Sequence, residues 1–478
     1  MSSGQFSALS PLLILASAAV LVMLVIGFRR NHLSAAVLAA SGLAGSFATT
    51  LAVAPDSLLA LTPLLVWDQY ATFFVALLLA ASFGVVLLSY GYLEARREAK
   101  DEYYILLLLT ALGASVMACS SHFVSFFLGL EIMTLAFYAM IAYLRDRGAG
   151  IEAATKYLIL SAVSDSFLLM GMALLYSQTG SMEFSRVGAA VSGMDPVFFW
   201  AATGLLVCGV GFKLSVVPFH MWTPDVYQGA PAPVTALLAT VSKVAVFALV
   251  FRYFAAADIH GSRAMVTVIT VIAVASMFAG NILALLQDNV KRLLAYSSIA
   301  HMGYLMVALT AGGKTALAAV GFYLAAYSAM TLGAFGVVTF ASADDREADS
   351  LQDFQGLAWR RPGLAAAFTI MLLSLAGIPL TAGFIGKFYM VWAGISSQLW
   401  VLTASLLVTS LIGLFYYLRI VLAMFSRHEG SPESELVAPG SSKAAAAVLM
   451  VLTLLVLWFG IQPSALIDAI EATVTRLG

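Results

Sequence analysis

Fourteen times along its 478 residues the chain runs for about twenty positions with scarcely a charge, the length a helix needs to cross ~30 Å of hydrocarbon. The runs fall at roughly 8–28, 33–54, 70–92, 103–119, 122–143, 152–176, 196–220, 231–255, 263–286, 293–312, 314–341, 364–395, 399–424 and 444–464. A chain that is 62% hydrophobic and 10% charged has more apolar surface than a soluble core can hide. The expected fold is an all-α polytopic membrane protein with about fourteen transmembrane helices in a lipid bilayer. The first run lacks a basic flank and a small-residue cleavage site, so it reads as a retained helix and not a signal peptide. A net charge of −1 offers no field for nucleic acid. Cys119 and Cys208 both sit in apolar runs and read as small buried hydrophobes. Two thiols cannot make a four-thiolate iron–sulfur or zinc site, so no metal or cofactor site is expected in this chain.

Proline interrupts two of the runs. Pro218 cannot donate to the Leu214 carbonyl and crowds it, and Pro379 does the same to Leu375. A carbonyl freed at membrane depth must be met by protein or water, and interrupted spans in matching positions of two halves point to a transport site. The breaks lie in the seventh and twelfth spans, which are fourth in each of two sets of five, spans 4–8 and 9–13. Five is odd, so the sets enter the membrane from opposite sides as inverted five-helix repeats. They are expected at 103–255 and 256–426, after three helices in 1–102 and before a last helix in 427–478. Loops after spans 1, 3, 5, 9, 11 and 13 carry 14 Lys and Arg residues, Arg97, Arg147, Lys291 and Arg427 among them. The other side carries 5, including Arg252 and Arg476, so both termini are expected to face away from the cytoplasm.

Lys156, Lys213, Lys243, Lys387 and Arg419 remain inside apolar runs. Arg419 and Lys156 lie near span ends and can snorkel to the interface. For Lys213, Lys243 and Lys387 a position near the bilayer centre costs at least ~2.5–3.5 kcal/mol each. With Glu131, in the fifth span, they imply a hydrated or paired interior route. Desolvation favours a neutral Glu131 and a neighbouring ammonium favours the charged form, so one proton can toggle such a pair. Glu131 is expected to pair with Lys213 or Lys156. In span ten Ser297, His301 and Tyr304 share one helix face, where an imidazole can pass a proton between a half-channel and a lysine. Tyr296, Tyr323 and Tyr327 could add hydroxyls. Asp165, in span six, projects from the face opposite Lys156 and has no assigned role. His220 and Asp225 could imitate a ligand pair, although anchoring a loop is the simpler reading.

Four stretches carry a family resemblance: GLEIMTLAFYAMIAYLR at 129–145, KLSVVPFHMWTPDVYQGAPAPVTALLATVSKV at 213–244, NVKRLLAYSSIAHMGYLM at 289–306 and SLAGIPLTAGFIGKFY at 374–389. With them the chain resembles, over almost its full length, the N-type antiporter-like membrane subunits of bacterial proton-pumping NADH:quinone oxidoreductase, respiratory complex I. The PFHMWTPD core alone would indicate only the wider antiporter-like superfamily. Its L- and M-type members usually carry a histidine at the position of Ala239, whereas the run Ala239-Thr240-Val241-Ser242-Lys243 looks like the N type. Mitochondrial counterparts are often shorter at the N-terminus, so fourteen spans look bacterial, which implies the inner membrane.

The resemblance implies that Glu131 and Lys213 form a modulating pair, that Lys243 is the central relay, and that His301 bridges to Lys387, the terminal lysine on the second broken span. Lys156 looks like the span-six lysine of N-type subunits, while Asp165 stands where a small or apolar residue is expected. It further implies that FMN, iron–sulfur clusters and quinone reside in partner subunits, and that the neighbours are other antiporter-like, small membrane and peripheral subunits. At ~7 Å and an effective dielectric of ~20, two charges in the lysine row interact by roughly 2.4 kcal/mol, enough to eject a proton from a poised neighbour. A subunit of a cation/proton antiporter or of a membrane-bound hydrogenase is the alternative within the same fold. A stand-alone solute transporter would need a midplane pocket, and ionisable residues strung along the chain favour a proton wire instead.

Overall fold

The computed structural model describes residues 3–54, 58–96, 100–145, 148–257, 263–343, 346–426 and 443–474. Arg97, Arg147, Arg427 and Arg476 of the charge count, and the domain boundary expected at 427, lie outside the described residues. In chain order come α1 (Ser3–Phe28), α2 (His32–Ala52), a hairpin of β1 (Leu59–Thr62) and β2 (Leu65–Trp67), α3 (Gln69–Glu94), α4 (Glu102–Ala118), α5 (Phe123–Ile141), α6 (Gly148–Thr179), the short α7 (Phe184–Ala190) and α8 (Pro196–Leu214). They are followed by α9 (Trp222–Gly229), α10 (Ala232–Ala257), α11 (Arg263–Leu285), α12 (Val290–Ala311), α13 (Gly313–Ala341), α14 (Pro362–Ala376), α15 (Ala382–Ser396), α16 (Trp400–Phe425), α17 (Lys443–Ile461) and α18 (Ser464–Val474).

Among the described residues twelve helices are long and apolar enough to cross a membrane. The 17-residue α4 and the interrupted pair α14 and α15 supply the other two of the fourteen expected spans. Several starts are fixed by side-chain caps, each worth ~1 kcal/mol: Asn31 accepts from Ser34 N, Asp68 from Ala71 N and Asn289 from Arg292 N. Close helix crossings follow from small residues. A Cβ on Gly113 would stand 2.5 Å from the Gly129 carbonyl oxygen, and one on Gly129 would stand 2.8 Å from the Gly113 carbonyl oxygen, so α4 and α5 touch backbone to backbone.

Helices α10, α12 and α13 are buried over nearly their whole length, and the remaining helices wrap them. The wrapping helices turn apolar side chains outward, such as Leu411, Phe415 and Leu422 on α16. Charged loops gather at one end, where Arg30 bonds Glu102 at 2.8 Å and Glu347 meets both Arg96 and Lys291. At the other end Asp68 holds Arg252 through two bonds of 2.7 and 2.8 Å. Two residues counted among the loops therefore belong inside: Lys291, in the first turn of α12, is fully buried, and Arg252 is buried within α10.

The breaks also fall differently from the proline expectation. α8 stops at Leu214 and α14 at Ala376, each ahead of its proline, because the next residue turns left-handed, Ser215 at φ 62° and Gly377 at φ 87°. In α8 Val216 N bonds Gly211 O at 2.9 Å and Ser215 N bonds Phe212 O at 3.0 Å. In α14 Ile378 N bonds Leu373 O and Gly377 N bonds Ser374 O, both at 3.0 Å. This is the same Schellman closure twice, and it leaves the last two helical carbonyls of each half-helix unmatched by backbone.

Candidate functional site: lysines on the ends of two interrupted helices

Those leftover carbonyls are where the buried lysines go. Lys243 Nζ donates to Lys213 O at 2.8 Å and to Ser215 Oγ at 2.5 Å. Lys387 Nζ donates to Leu375 O at 2.9 Å, Ala376 O at 2.8 Å and Ser410 Oγ at 2.8 Å. Lys213 and Leu375 hold the same position in their helices, second from the end, so one motif is built in both halves. A helix C-terminus carries about half a negative charge, which offsets part of the cost of placing an ammonium there. Among the described residues neither lysine has a carboxylate ion-pair partner. The lysines differ in origin: Lys243 reaches α8 from the following span, while Lys387 reaches α14 from α15, beyond the break in its own span.

Lys213 lies five residues ahead of Pro218 and Lys387 eight beyond Pro379, a difference that fits Lys387 matching Lys243, not Lys213, in what it binds. Ser215 must be serine for its hydroxyl to receive Lys243. Gly377 must be glycine, because a Cβ there would lie 2.9 Å from Lys387 Cδ, in addition to its left-handed backbone. Aromatic faces complete both seats, with Lys243 Nζ 5.0 Å from the Trp222 ring centre and Lys387 Nζ 5.3 Å from that of Tyr304. Trp222 Nε1 in turn donates to Phe212 O at 3.0 Å. Directly before Lys243, residues Leu238–Ser242 wind as a π-helical turn, which sets the angle at which the lysine leaves α10.

Lys213 has a different environment. Its Nζ lies 2.7 Å from Asp165 Oδ1, donates to Ser161 Oγ at 2.7 Å and reaches Thr134 Oγ1 at 3.4 Å. At ion-pair distance Lys213 meets Asp165, and Lys156 meets Glu152 and Asp225; Glu131, expected to pair with Lys213 or Lys156, makes no such contact among the described residues and acts on Lys213 through its longer-range field. Glu131 sits on α5 beside the Asp165 carboxyl, half-buried, with Oε1 enclosed and free of any hydrogen bond. Asp165 and Lys156 leave α6 on opposite faces, and only Asp165 turns inward.

In the second half His301 is buried on α12 with both ring nitrogens matched. Tyr323 Oη lies 2.7 Å from Nδ1 and Tyr417 Oη 3.2 Å from Nε2. Tyr417 also bonds Ser297, and Tyr327 donates to Ser298 Oγ at 2.8 Å. Tyr304, expected on the histidine's face, stacks edge-on against it and receives Asn281 Nδ2 at 2.9 Å. Tyr227 on α9 brings an enclosed hydroxyl with no hydrogen bond to the Ser298 and Tyr327 pair, between the two halves.

At the charged end Asp225 joins the halves, taking Lys156 Nζ at 2.8 Å and Arg292 Nη1 at 2.7 Å. Burial alone would push its carboxyl up, but hydrogen bonds from Lys156 and Arg292 outweigh that and hold it below the usual carboxylate range. His220 and Asp225 do not form a ligand pair, since Asp225 is turned to these two cations. Lys291 donates to Ala230 O at 2.6 Å, at the end of α9, and meets Glu347 at 3.3 Å. Among the described residues no three His, Cys, Asp or Glu side chains converge as a metal site. Sequence reasoning missed Tyr417, Ser410 and Lys291. Nothing local marks the first two, and the third lies at the edge of its apolar run.

The family described as NADH:quinone oxidoreductase/Mrp antiporter, TM, matches residues 120–413. NADH-quinone oxidoreductase subunit N of Ectopseudomonas mendocina (strain ymp) is 45% identical over 471 residues, 97% of this chain and 95% of that protein. A chain of respiratory complex I from Thermus thermophilus with bound Aureothin is 35% identical, with a TM-score of 0.83 over 97% of this chain and 100% of that one. A chain of the Mrp complex from Dietzia sp. DQ12-45-1b superposes with a TM-score of 0.87 over 99% of this chain and 97% of its own, at 20% identity. The last is a likeness of fold alone, so backbone shape does not separate these assemblies, whereas sequence identity does.

Proposed function

The chain belongs to the NADH:quinone oxidoreductase/Mrp antiporter family, and from that premise we propose that it is the N-type membrane-arm subunit of a bacterial NADH:quinone oxidoreductase, moving protons through its own buried Lys, Glu and His residues. Its multi-pass span places it in a membrane, and the excess of Lys and Arg at one end supports an inner-membrane orientation with both termini periplasmic. FMN, iron–sulfur clusters and quinone are assigned to partner subunits, which would deliver redox energy as electrostatic and conformational work. The two repeats are read as 103–255 and 256–426, each ending its interrupted helix under a lysine.

One observation carries the reading: Lys243 and Lys387 each sit on the unmatched end carbonyls of a half-helix, held by dipoles and hydroxyls with no fixed counter-ion among the described residues. An ammonium so held responds to the next charge along the row, because no carboxylate cancels its field. Glu131 and Lys213 begin the row, Lys243 occupies the centre, His301 with Tyr323 and Tyr417 bridges, and Lys387 ends it. Lys156 is read as the entry-side cation, tied to Asp225. The test is proton pumping per NADH oxidised by the purified complex in liposomes, with Lys213→Ala, Lys243→Ala and Lys387→Ala each compared with wild type. Pumping should be lost or strongly reduced in all three; full pumping by all three assembled variants overturns the proposal. Identifying what co-purifies with a tagged copy checks the assignment to the complex.

A further inference from the structure

Lys213 Nζ stands 2.7 Å from Asp165 Oδ1 as an ion pair and donates to Ser161 Oγ at 2.7 Å and Thr134 Oγ1 at 3.4 Å. Ser161 Oγ in turn lies 3.2 Å from Asp165 Oδ2, so lysine, serine and aspartate close a small ring between α6 and α8. Glu131 receives none of these donors. Its carboxyl nevertheless lies within electrostatic reach of both Asp165 and Lys213, and Glu131 Oε1, like Asp165 Oδ1, is enclosed without a hydrogen bond.

Two ionised carboxylates are acceptors only and cannot bond each other; one proton between them gives both a partner. One lysine balances one carboxylate, so two carboxylates beside it leave a surplus negative charge that a bound proton removes. The other titratable groups facing this cluster are the phenols Tyr138 on α5 and Tyr157 on α6, and neither is a cation. We propose that Asp165 and Glu131 form a two-carboxyl site that shares one exchangeable proton, with Asp165 as the standing counter-ion of Lys213 and Glu131 as the group from which the proton enters the row. The step is a transfer only: once Lys213 has passed its own proton along the row and stands as a neutral amine apart from Asp165, the shared proton moves from the carboxyl site onto Lys213 Nζ, the carboxylate left behind keeps the O–H electron pair, and no other bond changes. The inference rests on the proton-translocating reading above and adds a residue to it.

The experiment uses the intact complex in liposomes and two readouts, proton pumping per NADH and the infrared C=O stretch of a protonated carboxylic acid, taken as wild type minus variant. A shared proton predicts that either Glu131→Gln or Asp165→Asn removes the same acid band. In Glu131→Gln the remaining aspartate pairs with lysine, and in Asp165→Asn Glu131 ionises to replace it. Asp165→Asn is expected to lower pumping about tenfold or more, with Asp165→Glu restoring it to within about twofold. An acid band that persists in Asp165→Asn, or pumping unchanged in that variant, overturns the proposal. If Asp165→Asn does not assemble, Asp165→Glu decides, because a shared proton requires both band and pumping there and loss of both overturns it. The infrared band reports on the two carboxyls whether or not the chain pumps. Should Lys213→Ala, Lys243→Ala and Lys387→Ala all leave pumping intact, the broader reading fails separately from this one.

Discussion

Lys243 binds the main-chain carbonyl of Lys213 at 2.8 Å, while the Lys213 ammonium reaches Asp165 at 2.7 Å. The two lysines therefore meet through a peptide group at the end of α8 and not through their charged heads. A displacement of that last helical turn acts on both at once. Lys243→Met should expose this linkage. It leaves Lys213 O enclosed without its donor, at a cost of ~1–3 kcal/mol, and should lower the melting temperature of the complex as well as abolish pumping. Lys243→Arg, which keeps a donor, should recover most of the stability. Equal melting temperatures for Met and wild type would show that the carbonyl is satisfied some other way.

The two helix breaks make opposite demands on the residue that turns left-handed. Gly377→Ala is expected to cost ~1–2 kcal/mol from backbone conformation alone and to displace Lys387, whose Cδ would lie 2.9 Å from the new Cβ. Ser215→Gly relieves the backbone but removes the hydroxyl that receives Lys243. Stability should therefore fall clearly in the first variant and less in the second, where the backbone relief of ~1 kcal/mol offsets part of the lost charged hydrogen bond, with pumping reduced in both. Thermal melts alongside pumping assays separate the outcomes.

His301 is held by phenols on both nitrogens, so its role can be tested without touching the ring. Tyr323→Phe removes the partner of Nδ1, and Tyr417→Phe removes the partner of Nε2 together with the Ser297 bond. If protons pass through the imidazole, each variant should slow pumping several-fold, and His301→Gln at least as much. Normal pumping in both phenylalanine variants would take His301 out of the route.

The Asp225 junction has a defined pH signature. Its carboxyl is held below the usual range by Lys156 and Arg292, so the stability it contributes is complete above ~3.9, the ordinary carboxylate value, and is lost as pH falls through the lower folded value. The gap in melting temperature between wild type and Asp225→Asn should be full at neutral pH and close only below ~4. A gap that closes at higher pH would mean that burial, not the two cations, dominates at Asp225.

Much of the architecture was legible because the hydrocarbon imposes one length on every span, and Lys213, Lys243 and Lys387 stood out because nothing in a greasy run excuses a charge. The pairings were not legible. Whether Lys213 faces Glu131 or Asp165 depends on how α5 and α6 rotate against α8, which is set by contacts such as Gly113 on Gly129 that no single helix encodes. Prolines 218 and 379 marked the breaks within a few residues, yet the helices stop earlier, since a left-handed Ser215 or Gly377 ends a helix before a proline needs to. Lys291 was counted as a loop residue for a similar reason. It borders a run of apolar residues, and only the packing of α9 against α12 shows that it is fully enclosed.

The wide turn at Leu238–Ser242 carries one residue more than ordinary winding would, so everything after it in α10 arrives about 100° out of phase with what came before. That one extra residue serves two partners at once, turning Lys243 to the end of α8 and, nine positions on, Arg252 to Asp68.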